Sequence, residues 1–243
     1  MMSKKRISVC MATFNGEKYI EEQLQSILPQ LKSSDEVIVS DDGSTDSTIE
    51  IIKSLNDSRI KLFHNSFRNV ILNFEFAIGR ASGDIIFLSD QDDVWYGNKV
   101  EKTLELLERY DLLFTNLSVF STTLEDSHDM YSPNKNHRGL HRNFIKNHCV
   151  GATLAFKAHL LKYALPFPRK IEMHDMWIFF ISSFYGKTFY YNKPLVHYRR
   201  HGLNVSNTGG KTTNSLLRII EIRISWVIYL IKRILKVTFG TKN

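Results

Sequence analysis

Short apolar runs alternate with amphipathic stretches through the first half of the chain. Ile7–Ala12 is apolar and stops at the polar turn Thr13-Phe14-Asn15-Gly16. In the following stretch, Tyr19–Leu31, the residues Ile20, Leu24, Ile27, Leu28 and Leu31 recur at helical spacing. Glu36–Ser40 is a second buried run, followed by a helical Ser47–Leu55 with Ile51, Ile52 and Leu55 on one side. Ile60–His64 and Ile85–Ser89 read as a third and fourth strand, separated by a helix over Leu72–Ala81, and a further helix is expected over Asn98–Tyr110. This alternation predicts an α/β fold, a doubly wound and mostly parallel sheet flanked by helices. Ligands of such sheets sit beyond the carboxyl ends of the strands.

After Leu112–Val119, a fifth strand, the pattern loosens. Residues 121–143 are rich in Ser, Asn, His and Asp and read as a long mobile segment of the kind that is often functional. Val150–Phe156 and Thr188–Tyr191 predict strands on either side of a helix over Met176–Phe184, and His197–Asn207 reads as irregular. A last periodic stretch, Leu216 to Phe239, predicts a helix of its own. The chain thus divides into a domain over residues 1–210 and an amphipathic helical tail over 211–243.

Composition alters this picture in few places. A hydrophobic content of 43% and a charged content of 23% are those of a globular chain. Of the net charge of +7, all but +1 belongs to the tail, where seven Lys and Arg from Lys211 onward face Glu221 alone. The domain is nearly neutral and has no basic stripe with interleaved aromatics, so nucleic acid is not an expected partner. Cys10 and Cys149 are too few and too scattered for a zinc site or a disulfide framework, and a reducing, cytoplasmic setting is expected. The apolar run after Lys4, Lys5 and Arg6 is too short for a signal sequence, and no stretch of about 18 apolar residues predicts a spanning helix.

The candidate chemistry lies where strands end. The second and fourth strands run into Asp41-Asp42 and Asp90-Gln91-Asp92-Asp93. Carboxylates this close repel one another unless a cation neutralises them. Magnesium and similar hard cations take one or two carboxylates together with substrate phosphates. An acidic turn that caps the next helix explains the same residues. Likewise Asp41-Asp42-Gly43-Ser44-Thr45-Asp46 suits a turn with a helix cap, or a contact with the base or ribose of a nucleoside.

Taken together, several segments resemble the family 2 glycosyltransferases of GT-A fold. They are Met11-Ala12-Thr13-Phe14-Asn15, Val39-Ser40-Asp41-Asp42-Gly43-Ser44-Thr45-Asp46, Ala81-Ser82-Gly83-Asp84, and Phe87-Leu88-Ser89-Asp90-Gln91-Asp92-Asp93-Val94-Trp95. Together with His174-Asp175-Met176-Trp177 and Tyr198-Arg199-Arg200-His201-Gly202, they look most like the bacterial rhamnosyltransferase-like branch. The resemblance spans about residues 5–205. Val70 stands where relatives often carry Gly.

The resemblance implies an inverting, Mg²⁺- or Mn²⁺-dependent transfer of a sugar, rhamnose among the candidates, from a dTDP- or UDP-linked donor. The acceptor would be a hydroxyl of a glycan or lipid-linked saccharide in cell-surface polysaccharide synthesis. Thr13, Asn15, Asp41, Asp42 and Asp90 would hold the nucleotide, Asp92 and His201 the metal. Asp93, Trp95, Gly151, Trp177, Arg199 and Arg200 would face the sugar or diphosphate. Asp175 would act as the general base, with Glu172 as its rival, although an Asp there also suits a helix cap. A nucleotidyltransferase would use similar acids, and a non-catalytic carbohydrate- or calcium-binding module is the alternative without chemistry. The basic tail, with Trp226 and many Ile and Leu, suits either an anionic membrane surface on the cytoplasmic side or packing against the domain or a second copy.

Overall fold

The computed structural model describes residues 5–132, 143, 148–202 and 215–239. Among these described residues nine strands form one sheet: β1 (Ile7–Thr13), β2 (Glu36–Asp41), β3 (Ile60–His64), β4 (Ile85–Ser89), β5 (Val94–Trp95), β6 (Leu112–Phe120), β7 (His128–Asp129), β8 (Ala155–Lys157) and β9 (Thr188–Arg199). Their order is β3-β2-β1-β4-β8-β6-β9-β5, with β7 beside β6. The first four strands are parallel, as the alternation predicts. Beyond them β8 runs antiparallel to β4 and β6, and β5 antiparallel to β9, so the sheet is mixed. These antiparallel strands are short, and two or three residues carry too little period to be read from sequence.

Side-chain alternation along the parallel strands divides the core in two. Cys10, Ile38, Ile86 and Leu88 point to one face, where they meet Phe74 and Ile78 of helix α3 (Val70–Gly79) and the helix His174–Tyr185. Val9, Met11, Val37, Val39 and Phe87 point to the other, against α1 (Ile20–Ile27), α2 (Thr48–Ser54) and α4 (Lys99–Leu106). Gly83 allows the chain to cross the base of β1, because a Cβ there would lie 2.7 Å from the Ser8 amide nitrogen.

Three sequence expectations change. Val150–Phe156 is not one strand: Gly151–Thr153 forms a 3₁₀ turn before β8. The stretch expected to be irregular from His197 begins inside β9, which continues to Arg199 because Ser118, Val119 and Phe120 pair with His197, Tyr198 and Arg199. Of the expected mobile segment, residues 121–132 contain a 3₁₀ turn at Leu124–Asp126 and the strand β7, while 133–142 lie outside the described residues. The boundary between domain and tail also falls outside them. The tail helix, Leu216–Phe239, packs on the domain through the buried Trp226.

Candidate active site

The carboxyl ends of β1, β2 and β4 lie side by side, because Thr13 pairs with Asp41 and Met11 with Ser89. The two acidic clusters and the Thr13–Gly16 turn therefore share one rim of the sheet. The Asp41 carboxylate accepts from the Thr13 hydroxyl at 2.9 Å and from the Gly43 and Ser44 amides at 3.1 and 2.9 Å. Asp42 accepts from the Arg68 and Asn69 amides at 2.9 and 2.8 Å, holding the segment that starts α3. Asn15, at a positive φ of 48°, accepts from the Thr45 amide at 2.9 Å and ties the first turn to the second. Both Asp41 and Asp42 are thus engaged in building the rim.

The fourth-strand cluster is electrostatically strained. Burial, then the charges of Asp92 and Asp175, push the Asp90 carboxyl up to about 7. Asp93 is buried and pushed well above the usual carboxylate range by burial, with Asp92 and Asp90 adding to it. One Asp93 oxygen accepts from the Arg199 amide at 3.0 Å, while its other oxygen has no partner among the described residues. Each of these shifts signals a demand for a proton or a cation.

Strand β5 explains how residues about a hundred positions apart meet. Val94 pairs antiparallel with His197, and continuing that register sets Arg199 opposite Asp92. The Arg199 guanidinium donates to the Asp92 carbonyl at 3.0 Å and to Glu22, and lies over the rings of Tyr19 and Phe120. Two residues on, His201 Nε2 lies 2.8 Å from Asp92 Oδ2, its ring stacked on Tyr19 with centroids 4.8 Å apart. Among the described residues no three His, Cys, Asp or Glu side chains converge as a complete cation cage. A carboxylate beside an imidazole, with Asp90 adjacent, fits the partial donor set that Mg²⁺ or Mn²⁺ completes with phosphate oxygens.

Asp175 comes to the same rim from the far side of the sheet. It lies in the first turn of the helix that begins at His174, two residues past the N-cap Met173, and so is not the cap itself. Its carboxylate is buried, accepting from the Met176 amide at 2.6 Å and the Gly151 amide at 3.0 Å. Burial raises it to about 6, and the two amide hydrogen bonds act in the other direction. The rival Glu172 is exposed and paired with Arg218 of the tail helix at 2.5 Å.

Several expected contacts take other roles. Trp177 is fully buried, its indole donating to the Ala164 carbonyl at 2.9 Å, so it is core and offers no face to a sugar. Trp95 is buried as well, packed against Phe87. Gly151 belongs to the site through its backbone amide. The Arg199 side chain braces the Asp92 loop, and Arg200 is exposed, its amide extending the pairing with Phe120.

Four polar side chains that brace the rim escape a reading by motif. Gln91 bridges to the Phe14 amide and carbonyl at 2.9 and 3.0 Å. Gln23 donates to Ser89 Oγ and the Asp90 carbonyl, and Asn73 to the Thr13 carbonyl. Lys99 is buried over the Trp95 ring, 4.1 Å from its centroid, and donates to the Ala152 carbonyl at 2.8 Å. Its burial lowers its pKa to about 7, against the pull of Asp93 and Asp90. The available signal was a polar residue on the buried stripe of an amphipathic helix: Gln23 sits between Ile20 and Ile27, Lys99 beside Val100 and Thr103. Lys99→Met is expected to strand the buried acids and cost about 3 kcal/mol. A thermal melt should then show Tm lowered by roughly 6–12 °C; an unchanged Tm would mean that Lys99 compensates nothing.

Known proteins match this architecture. The dTDP-rhamnosyl transferase RfbG of Shigella flexneri is 34% identical over 122 residues, covering 47% of this chain and 40% of its own length. The chain thus spans less than half of that relative. Among solved structures, Staphylococcus aureus TarS 1-349 in complex with UDP-GlcNAc superposes with a TM-score of 0.69 at 17% identity, over 96% of this chain and 73% of that one. Glucosyl-3-phosphoglycerate synthase from Mycobacterium tuberculosis, in complex with Mn²⁺, UDP and phosphoglyceric acid, gives 0.58 at 18% identity, over 95% and 78%. These likenesses establish the GT-A fold. The sequence model of glycosyl transferase family 2 matches residues 8–164, well over half of the chain, and the protein belongs to that family.

Proposed function

We propose that the chain transfers a sugar from a nucleoside-diphosphate donor to an acceptor hydroxyl, with inversion at the anomeric carbon. The observation that carries this reading is Asp175, a buried carboxylate held by the Gly151 and Met176 amides at 3.0 and 2.6 Å, which burial raises to about 6. A hydroxyl has a high pKa, and a carboxylate that takes its proton during attack contributes roughly 10²–10⁴-fold. At neutral pH Asp175 is ionised yet more basic than an exposed Asp. It takes the acceptor proton, and the Gly151 and Met176 amides keep its carboxylate oriented.

The loops braced by Thr13, Asn15, Asp41 and Asp42 receive the nucleoside, and Asp90 addresses the ribose. Mg²⁺ or Mn²⁺ would be held by Asp92 and His201; when bound it supplies Lewis-acid neutralisation of the departing diphosphate. Arg200 lies near enough in sequence to His201 to serve the same phosphates. The Mn²⁺ and UDP held by the mycobacterial neighbour support this assignment. The Shigella relative makes dTDP-rhamnose the first donor to try and UDP-sugars the second. The acceptor belongs to a glycan or a lipid-linked saccharide of cell-surface polysaccharide synthesis, reached from the cytoplasmic side of the membrane.

Nucleoside-diphosphate release should be measured with dTDP-rhamnose and a panel of UDP-sugars, with and without Mn²⁺. Release that needs both donor and metal is expected. A cognate donor at 100 times its Kd should stabilise the fold by about 2.7 kcal/mol. Absence of both release and stabilisation across the panel would overturn the reading.

A further inference from the structure

The tail helix has two apolar faces, and the fold covers one of them. Trp226 is buried, its ring 5.4 Å from Phe180 and 6.4 Å from Trp177, with Ile222, Tyr229 and Leu230 packed beside it. Arg233 closes this face, donating to the Tyr163 and Leu165 carbonyls at 2.7 and 2.8 Å. At about 3.6 residues per turn, Leu217, Ile220, Ile224, Ile228, Ile231 and Leu235 line the opposite side. All six are exposed, from 44% at Ile228 to 80% at Leu217. Scattered surface hydrophobics are ordinary, whereas an unbroken row roughly 27 Å long marks a binding surface.

Charge identifies what the row meets. Lys232 and Lys236, both exposed, flank it on one side and Arg223 on the other. The helix holds five Lys and Arg against Glu221 alone. A second copy of the helix laid against the row would bring like charges together. An anionic lipid surface accepts both the apolar row and its basic margins. No helix among the described residues is long and apolar enough to cross a membrane, so this one would lie in the plane.

We propose that the exposed face of Leu216–Phe239 docks on an anionic membrane, its row at the acyl boundary and Lys232 and Lys236 among the headgroups. This deepens the lipid-linked acceptor reading above, and it is tested without any sugar transfer. On its domain side the helix also carries Arg218, which pairs with Glu172 three residues before Asp175.

The experiment is co-sedimentation of the full chain with phosphatidylcholine vesicles, and with vesicles in which part of that lipid is replaced by phosphatidylglycerol. Binding is expected to the anionic vesicles and to fall as salt is raised. Lys232→Ala/Lys236→Ala should weaken it by roughly 25-fold, about fivefold per charge. Ile224→Asp/Ile228→Asp should abolish it, with the near-ultraviolet circular dichroism of the domain unchanged. Equal binding by that variant, or equal binding to neutral and anionic vesicles, would overturn the proposal. So would an absence of vesicle binding together with a dimer in light scattering that the Ile224→Asp/Ile228→Asp variant dissolves. Because no donor is present, a failure here leaves the transferase reading untouched.

Discussion

Asp175→Asn is expected to lower kcat for sugar transfer by roughly 10²–10⁴-fold while the Kd for the donor stays near the wild-type value. Proton removal belongs to the transition state, and the donor is held by other groups. The wild-type rate should rise with pH through about 6, the range to which burial moves this carboxyl, and then level off. The structural consequences can be separated from the chemical one. Asp175 accepts from two backbone amides, one at each oxygen. An Asn amide can accept at one side only, and the donor left facing its NH₂ costs about 1–3 kcal/mol.

The ionisation effect has the opposite sign. A carboxyl whose folded pKa is raised from 3.8 to about 6 contributes stability below its unfolded value, which is lost as pH rises through 6. Asn does not ionise and escapes that loss. Its stability relative to wild type should therefore improve between pH 4 and pH 7, which melting curves at the two pH values will read. Near-normal turnover in Asp175→Asn would remove the general base from this position. Glu172, exposed and paired with Arg218, is then the residue to test.

Asp92→Ala is expected to reduce transfer by about 10³-fold, the equivalent of roughly 4 kcal/mol of lost charge neutralisation in the transition state. It differs from Asp175→Asn in its second readout, because donor binding that depends on Mn²⁺ should weaken as well. The fold should survive. Asp92 contributes to the raised pKa of both Asp90 and Asp93, so removing it relieves repulsion and leaves Tm without metal equal or higher. Undiminished transfer by the wild type in excess EDTA would defeat the metal assignment outright.

The parallel half of the sheet was legible because β1, β2 and β4 are buried on both faces and read as continuous apolar runs. Their endings were legible too, since charged side chains at strand ends interrupt those runs. The antiparallel half was not. β5 and β8, of two and three residues, are strands only because β9, β4 and β6 supply their partners. Trp177 illustrates the limit at a single position. Its motif suggested a ligand contact, but the side of the helix it occupies is covered by Trp226 and Ala164, both remote from it in spacing terms.

What the sequence determined by itself was therefore local: the strand–helix alternation, the acids at strand ends, and the basic amphipathic tail. These depend on short-range periodicity and on the chemistry of neighbouring residues. Only the tertiary structure decided which distant groups meet. The pairing of Val94 with His197 carries His201 to Asp92, and the turn at Gly151 presents its amide to Asp175. It also decided which residues lose water, and that burial raises Asp90 and Asp175 and lowers Lys99. Pairing across a hundred residues and desolvation are properties of the packed chain, and no window of sequence contains them.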